Sequence, residues 1–315
     1  MNIFFVTLES IIILLGIGII GFFILSRKIV PLSILETISP LVIEVGMPCL
    51  IFSNIIKTFN PEEISNWWQL PLWWILTTIV LFILTYLSML IIGKKNKKEF
   101  GISLFYPNGI FIPVAIIIGI FGTDSIIMAK YFIFILIYPV FFFNTYFYFF
   151  GKRDKSKKNL KKIFNPILIS TIIALIISLT GYKSYVPKVI LSITDLLGGI
   201  SLPLIIIFIG GNLYIDFQNS KSIKIKELSI FVLIKNILFP LIVLLLLILI
   251  KPPVYIAFFV FLLSAMPPIT SVSIVTKEYN RNVALVNQFM VSSFIFSIIT
   301  LPALMYIFNY FFKIL

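Results

Sequence analysis

A chain of 315 residues with 60% hydrophobic and 12% charged residues, at a mean hydropathy of +1.12, has too few polar side chains to cover a soluble particle, since soluble chains carry about 45–50% apolar and about 25% charged residues. Its apolar surface has to meet lipid. The absence of histidine and the single cysteine, Cys49, exclude imidazole bases and ligands, an intrachain disulfide and a thiolate metal cluster.

Apolar runs long enough to cross ~30 Å of hydrocarbon lie at 3–25, 31–56, 68–92, 100–122, 126–150, 164–182, 187–214, 228–250, 254–276 and 283–311. The first lacks a basic start, carries Glu9 and is followed by Arg27 and Lys28, which reads as a retained helix with its N-terminus outside rather than a cleaved signal. The second run holds Glu36, Glu44 and Met47-Pro48-Cys49, and Pro61-Glu62-Glu63 follows it. The fourth is interrupted at Tyr106-Pro107-Asn108-Gly109 and Pro113, and the fifth carries Pro139, Asn144 and Thr145. A basic connector follows, with Lys152, Arg153, Lys155, Lys157, Lys158, Lys161 and Lys162. The seventh run contains Asp195, the eighth Lys235 and Pro240, the ninth Ser264-Ala265-Met266-Pro267-Pro268-Ile269-Thr270-Ser271, and the tenth Asn287, Gln288 and Pro302.

The net charge of +13 raises the question of nucleic acid, and the placement of the basic residues answers it. Most lie in five short connectors, Arg27 to Lys28, Lys94 to Lys98, Lys152 to Lys162, Lys221 to Lys226 and Lys277 to Arg281, which alternate with basic-poor ones. This is the positive-inside pattern of a cell-membrane protein and not a nucleic-acid patch. It sets both termini outside the cytoplasm.

The two halves resemble each other. Val30-Pro31 and Met47-Pro48 in the second run match Val186-Pro187 and Leu202-Pro203 around the seventh; Phe132-Ile133-Phe134 leading to Pro139 matches Phe294-Ile295-Phe296 leading to Pro302. The expected division is a first five-helix repeat at 1–152, a basic cytoplasmic linker at 153–163 and a second repeat at 164–315. An odd number of spans per repeat makes the repeats inverted. The fold class is therefore all-α and polytopic, ten transmembrane helices in two inverted sets of five.

Pro113 disturbs the carbonyl of Gly109, Pro267 that of Leu263 and Pro268 that of Ser264, because proline lacks an amide and clashes with the carbonyl four residues back. Paired interruptions at matching places mark a substrate site more than simple kinks, since freed backbone groups in a membrane must face protein or a wet cavity. Half-helices starting near Pro113 and Pro268 direct two positive dipole ends at the midplane, where Asn108, Thr270, Ser271 and Ser273 supply neutral partners for an anion such as a carboxylate. The candidate substrate-binding set is Asn108, Gly109, Pro113, Pro267, Pro268, Thr270 and Ser271. Glu36, Glu44, Asp195 and Lys235 are candidate ion-coupling or structural charges. Glu36 and Lys235 sit at similar depth, so a pair between them is one reading; the other has Lys235 snorkelling and Glu36 or Asp195 lining an aqueous cavity. Glu44 and Asp195 lead as proton carriers if a proton is moved.

Pro267-Pro268-Ile269 followed by Thr276-Lys277-Glu278-Tyr279-Asn280, together with Met47-Pro48-Cys49-Leu50-Ile51-Phe52, resembles the auxin efflux carrier family, which includes plant PIN carriers and many prokaryotic permeases. Tyr106-Pro107 and Phe111 replace residues common in that family's fourth helix, which leaves the transfer of its carboxylate-binding asparagine to Asn108 open. The resemblance implies a fold similar to bile-acid and sodium–proton transporters, with helices four and nine broken and crossing. A scaffold of helices one, two, six and seven would form a homodimer, and helices three to five and eight to ten a transport unit moving as an elevator. It implies a small organic anion as substrate, an auxin-like weak acid or a dicarboxylate, and no cofactor. A proton- or sodium-coupled symporter and a non-transporting receptor or assembly subunit of the same fold are the alternatives. No phosphate-cradling glycine loop or Gly-x-Ser-x-Gly turn supports an enzyme.

Overall fold

The computed structural model describes residues 3–62, 64, 66–92, 96–151, 165–219 and 224–314. The expected basic linker at 153–163 lies outside the described residues, as do Glu63 and the side chain of Glu36. The described residues are helical with no strand beyond one isolated bridge. In chain order the helices are α1 (Ile3–Ser26), α2 (Ile34–Pro40), α3 (Met47–Thr58), α4 (Gln69–Ser88), α5 (Lys97–Phe105), α6 (Phe111–Phe121), α7 (Ile126–Phe134), α8 (Tyr138–Thr145) and α9 (Phe147–Phe150). They continue with α10 (Pro166–Leu179), α11 (Lys188–Gly199), α12 (Ser201–Asn219), α13 (Ile225–Val232), α14 (Phe239–Ile250), α15 (Val254–Ala265), α16 (Ser271–Glu278) and α17 (Val283–Phe312).

Among the described residues five stretches of helix are long and apolar enough to cross a membrane: Leu41–Thr58, Gln69–Ser88, Ile126–Phe150, Ile225–Ile250 and Val283–Phe312. Shorter apolar helices occupy Ile12–Ser26, Phe111–Phe121, Pro166–Leu179 and Val254–Ala265. Outward-facing apolar side chains recur at helical spacing along α4, at Leu72, Leu76, Ile79, Phe82, Ile83, Tyr86 and Leu87, a stripe suited to lipid and not to water.

Two π-helical turns interrupt otherwise regular helices. Leu41–Gly46 joins α2 to α3, and Leu233–Leu238 joins α13 to α14. Each precedes a proline in the first turn of the next helix, Pro48 and Pro240. The missing amide and the ring clash fall on the carbonyls of Glu44 and Asn236, inside the widened turns, which gives the distortion its cause. The second turn matters for the site because it carries Lys235 and Asn236, both fully buried. Asn236 Nδ2 donates to Ser293 O at 2.8 Å and Ser297 Oγ at 3.0 Å, while Ser293 Oγ donates to Asn236 Oδ1 at 2.6 Å, fastening the turn to α17.

Helix α1 packs along α12, and α3 packs on α10 and α11. Small residues permit these approaches, as membrane helices lacking a hydrophobic drive to associate require. A Cβ added at Gly210 would run into the carbonyl of Gly18, one at Gly21 into that of Ile207, and one at Gly198 into the Leu50 backbone. At the opposite extreme of packing, every residue from Glu99 to Ile117 and from Ile256 to Ile269 is buried, so the two interrupted helices form the centre of the molecule. Gly210→Val should lower the thermal midpoint of the detergent-purified protein by the equivalent of ~1–3 kcal/mol, the usual penalty of overpacking. Gly16→Ala, with nothing within 4 Å of the added carbon, should leave the midpoint unchanged.

Candidate functional site

Helix α5 stops at Phe105 and α6 starts at Phe111, with Tyr106 in extended conformation (φ −99, ψ 93). Helix α15 stops at Ala265 and α16 starts at Ser271, with Met266 extended (φ −74, ψ 142). The two extended segments pair antiparallel across Pro107 and Pro268. The Asn108 amide donates to Pro267 O at 2.7 Å, and the Ile269 amide donates to Tyr106 O at 3.0 Å. Prolines are tolerated in this pairing because the bonds run through their neighbours, which retain amides.

Three further carbonyls of the first break are met by side chains. Tyr131 Oη donates to Gly109 O at 2.7 Å, and Tyr138 Oη donates to Pro107 O. Lys235 Nζ donates to Leu104 O at 2.9 Å. The Gly109 carbonyl is the one that Pro113, in the first turn of α6, cannot satisfy, and Tyr131 takes it. A Cβ at Gly109 would lie 3.1 Å from both Leu263 and the Tyr138 ring, so glycine is needed for the close approach of α15 and α8.

Asn108 Oδ1 accepts from the Phe111 amide at 3.1 Å, closing the N-terminus of α6. Its Nδ2 has no acceptor among the described residues, although the residue is 2% exposed, and it lines a small void of about 10 Å³ with Asn212, Pro268, Thr270 and Met290. The void adjoins a cavity of about 290 Å³ that shares Asn212, Thr270 and Met290 and extends along α16 past Ser271 and Ser273 to Glu278. Aromatic side chains of Phe111, Phe142, Phe143, Tyr146 and Phe208 form much of its wall, and Glu278 is the one charged residue among those lining it. Ser273 Oγ is held by Asn287 Oδ1. The hydroxyls of Thr270 and Ser271 have no partner among the described residues.

The structure thus places Asn108 and Pro268 at the small void, Ser271 at the larger cavity and Thr270 at both, with Gly109, Pro113 and Pro267 in the adjoining backbone. The four charges expected to matter scatter. Lys235 is 0% exposed; it does not snorkel but sits behind the first break. Asp195 Oδ2 lies 2.5 Å from Lys57 Nζ, which also stands 3.7 Å from Asp124. Glu44 is exposed on the first π turn and lines neither cavity. Helix α2, which carries Glu36, packs on α12, whereas the turn of Lys235 packs on α13, α14, α15 and α17. Sequence reasoning missed Tyr131, Tyr138, Asn212 and Glu278. The signal for the two tyrosines is their seven-residue spacing, which puts both hydroxyls on one side of the fifth run, where a buried phenol needs a partner. Among the described residues no group of three or more metal-ligating side chains is present.

A family described as membrane transport protein matches residues 6–160 and 153–305 of the chain. An uncharacterized transporter of Methanocaldococcus jannaschii is 27% identical over 213 residues, covering 65% of this chain and 68% of the relative. The matched segments take in both interrupted helices and every residue lining the cavity. The chain belongs to the membrane transport protein family, that of the auxin efflux carriers.

Proposed function

We propose that this membrane transporter carries a small organic anion, an apolar monocarboxylate, by alternating access at the cavity between the two broken helices. The observation that carries the reading is the set of unused donors there: Asn108 Nδ2 and the hydroxyls of Thr270 and Ser271, at the starts of α6 and α16. Helix starts concentrate partial positive charge, and donors without a protein acceptor in so enclosed a place are suited to a carboxylate. The five aromatic side chains of the wall suit an apolar body. A second carboxylate would face Glu278 with no lysine or arginine among the lining residues, which favours a monocarboxylate over a dicarboxylate.

In this reading the ten apolar runs span the cell membrane as two inverted sets of five, the paired breaks are the crossing of helices four and nine, and both termini lie outside. The cavity runs along α16 toward the connector holding Lys277 and Arg281, hence toward the cytoplasm. On the other side, Asn54 Nδ2 donates to Thr123 O at 2.8 Å and Lys57 approaches Asp124, closing α3 against the turn between α6 and α7. This is an inward-open arrangement. The expected homodimer uses the group built on α1, α3, α10, α11 and α12, leaving the broken helices free to move as an elevator.

Purified protein in liposomes should move labelled phenylacetate. Asn108→Leu should cut uptake by about tenfold or more, the loss expected for one hydrogen bond to a charged group; binding without flux under a voltage or pH gradient would mark a receptor instead. Malonate should compete with phenylacetate at least about tenfold more weakly than benzoate does, and Glu278→Gln should narrow that gap. Equal competition by malonate in the wild type would refute the monocarboxylate assignment.

A further inference from the structure

Lys235 is the fully buried lysine of the described residues, and its surroundings are unusual for one. Its Nζ lies 2.9 Å from Leu104 O and 5.7 Å from the centre of the Phe239 ring, and no ion pair of Lys235 occurs among the described residues. Charged groups in a membrane interior ordinarily pair with an opposite charge. Here the partner is a carbonyl in the last turn of α5, the end of a helix that stops at the break. The last carbonyls of a helix concentrate partial negative charge. Left alone, the ends of α5 and α15 would oppose the positive starts of α6 and α16 at the same place, and a carboxylate there would meet cancelling fields. An ammonium on the α5 carbonyl reverses that balance.

We propose that Lys235 sets the charge preference of the cavity: by offsetting the C-terminal end of α5 through the Leu104 carbonyl, it leaves the break net positive and selects an anion over its neutral analogue without touching the ligand. Lys235 lines neither cavity, so it is a positioning and field-setting residue. Asn108 follows Leu104 by four residues, so at most about 14 Å of chain separates the anchored carbonyl from the ligand-facing amide. A unit charge at roughly 10–14 Å through an effective dielectric of about 20 changes affinity by roughly a factor of ten. The π turn gives the residue its aim, since the widening before Pro240 turns Lys235 and Asn236 inward together.

The inference rests on the carboxylate reading, and the test separates the two. Phenylacetate and phenylacetamide have nearly the same shape and differ in charge; their affinities for the full-length protein in nanodiscs are measured by calorimetry. The wild type should prefer the carboxylate. Lys235→Gln keeps a donor for the Leu104 carbonyl and removes the charge, and should lower the carboxylate-to-amide affinity ratio about tenfold; Lys235→Arg should preserve it. A purely structural cap predicts instead that Lys235→Gln weakens both ligands equally or neither, and either result overturns the proposal. Should Lys235→Gln not fold, Phe239→Glu puts a carboxylate one turn from the lysine and neutralises it in place, with the same fall in ratio expected and an unchanged ratio equally fatal. A wild type that binds neither ligand, or both alike, overturns the carboxylate reading and this inference with it.

Discussion

Backbone polar groups freed inside a membrane have no water to turn to, and everything at the centre of this protein follows from that. An unpaired amide or carbonyl in hydrocarbon costs several kcal/mol, and two interrupted helices expose several at once. The fold answers by placing the interruptions against each other, so that the amides of Asn108 and Ile269 find the carbonyls of Pro267 and Tyr106. The carbonyls left over from the first break draw in Tyr131, Tyr138 and Lys235 from helices distant in sequence. Burial of both segments from end to end is the consequence, because those partners must surround them.

The same requirement bears on the site proposed there. Each of those carbonyls is taken by a protein donor, yet Asn108 Nδ2 and two hydroxyls remain without acceptors and look into the adjoining voids. Asn108 Nδ2 is a donor left over in a buried place, and a buried donor asks for an acceptor. That leftover donor supports the proposed anion, and Lys235 is proposed to reinforce the preference from behind.

Much of the class and of the interruption was legible in the chain. Apolar content and connector charge imply a membrane, and Pro107, Pro113, Pro267 and Pro268 locate both breaks within two or three residues of where α5, α6, α15 and α16 begin and end. The same prolines explain why the fourth and ninth runs are not among the helical stretches of the described residues long enough to cross a membrane: an apolar run cut at its middle yields pieces such as Lys97–Phe105 and Phe111–Phe121, each shorter than a bilayer at helical rise. Pro48 and Pro240 signal that their helices are disturbed without giving the form, because a proline alone does not say whether a helix kinks or widens into a π turn. The partners of the freed carbonyls were not legible at all. Nothing local to Lys235 distinguishes a residue bonded to Leu104 from one reaching for the membrane surface; that depends on how α5 and the π turn pack.

Unequal fastening also bears on how a carrier built this way would move. The α5–α6 and α15–α16 segments are joined by backbone bonds, Tyr131 and Tyr138 fasten the first of them to the helices that follow it, and α17 is tied to the turn of Lys235 through Asn236. The far wall of the cavity, Ile43, Phe208 and Asn212, belongs to helices on the other side of it, and polar ties across that boundary among the described residues include Asn54 to Thr123 and Lys57 to Asp124. Apolar surfaces slide at little cost in free energy, since one hydrocarbon neighbour serves as well as the next, whereas a broken backbone bond in hydrocarbon has no replacement. Lys57 already has a second carboxylate, Asp195 on its own side, so releasing Asp124 leaves the lysine paired. The boundary between the two groups, and not the paired breaks, is therefore where the proposed alternating motion would meet least resistance.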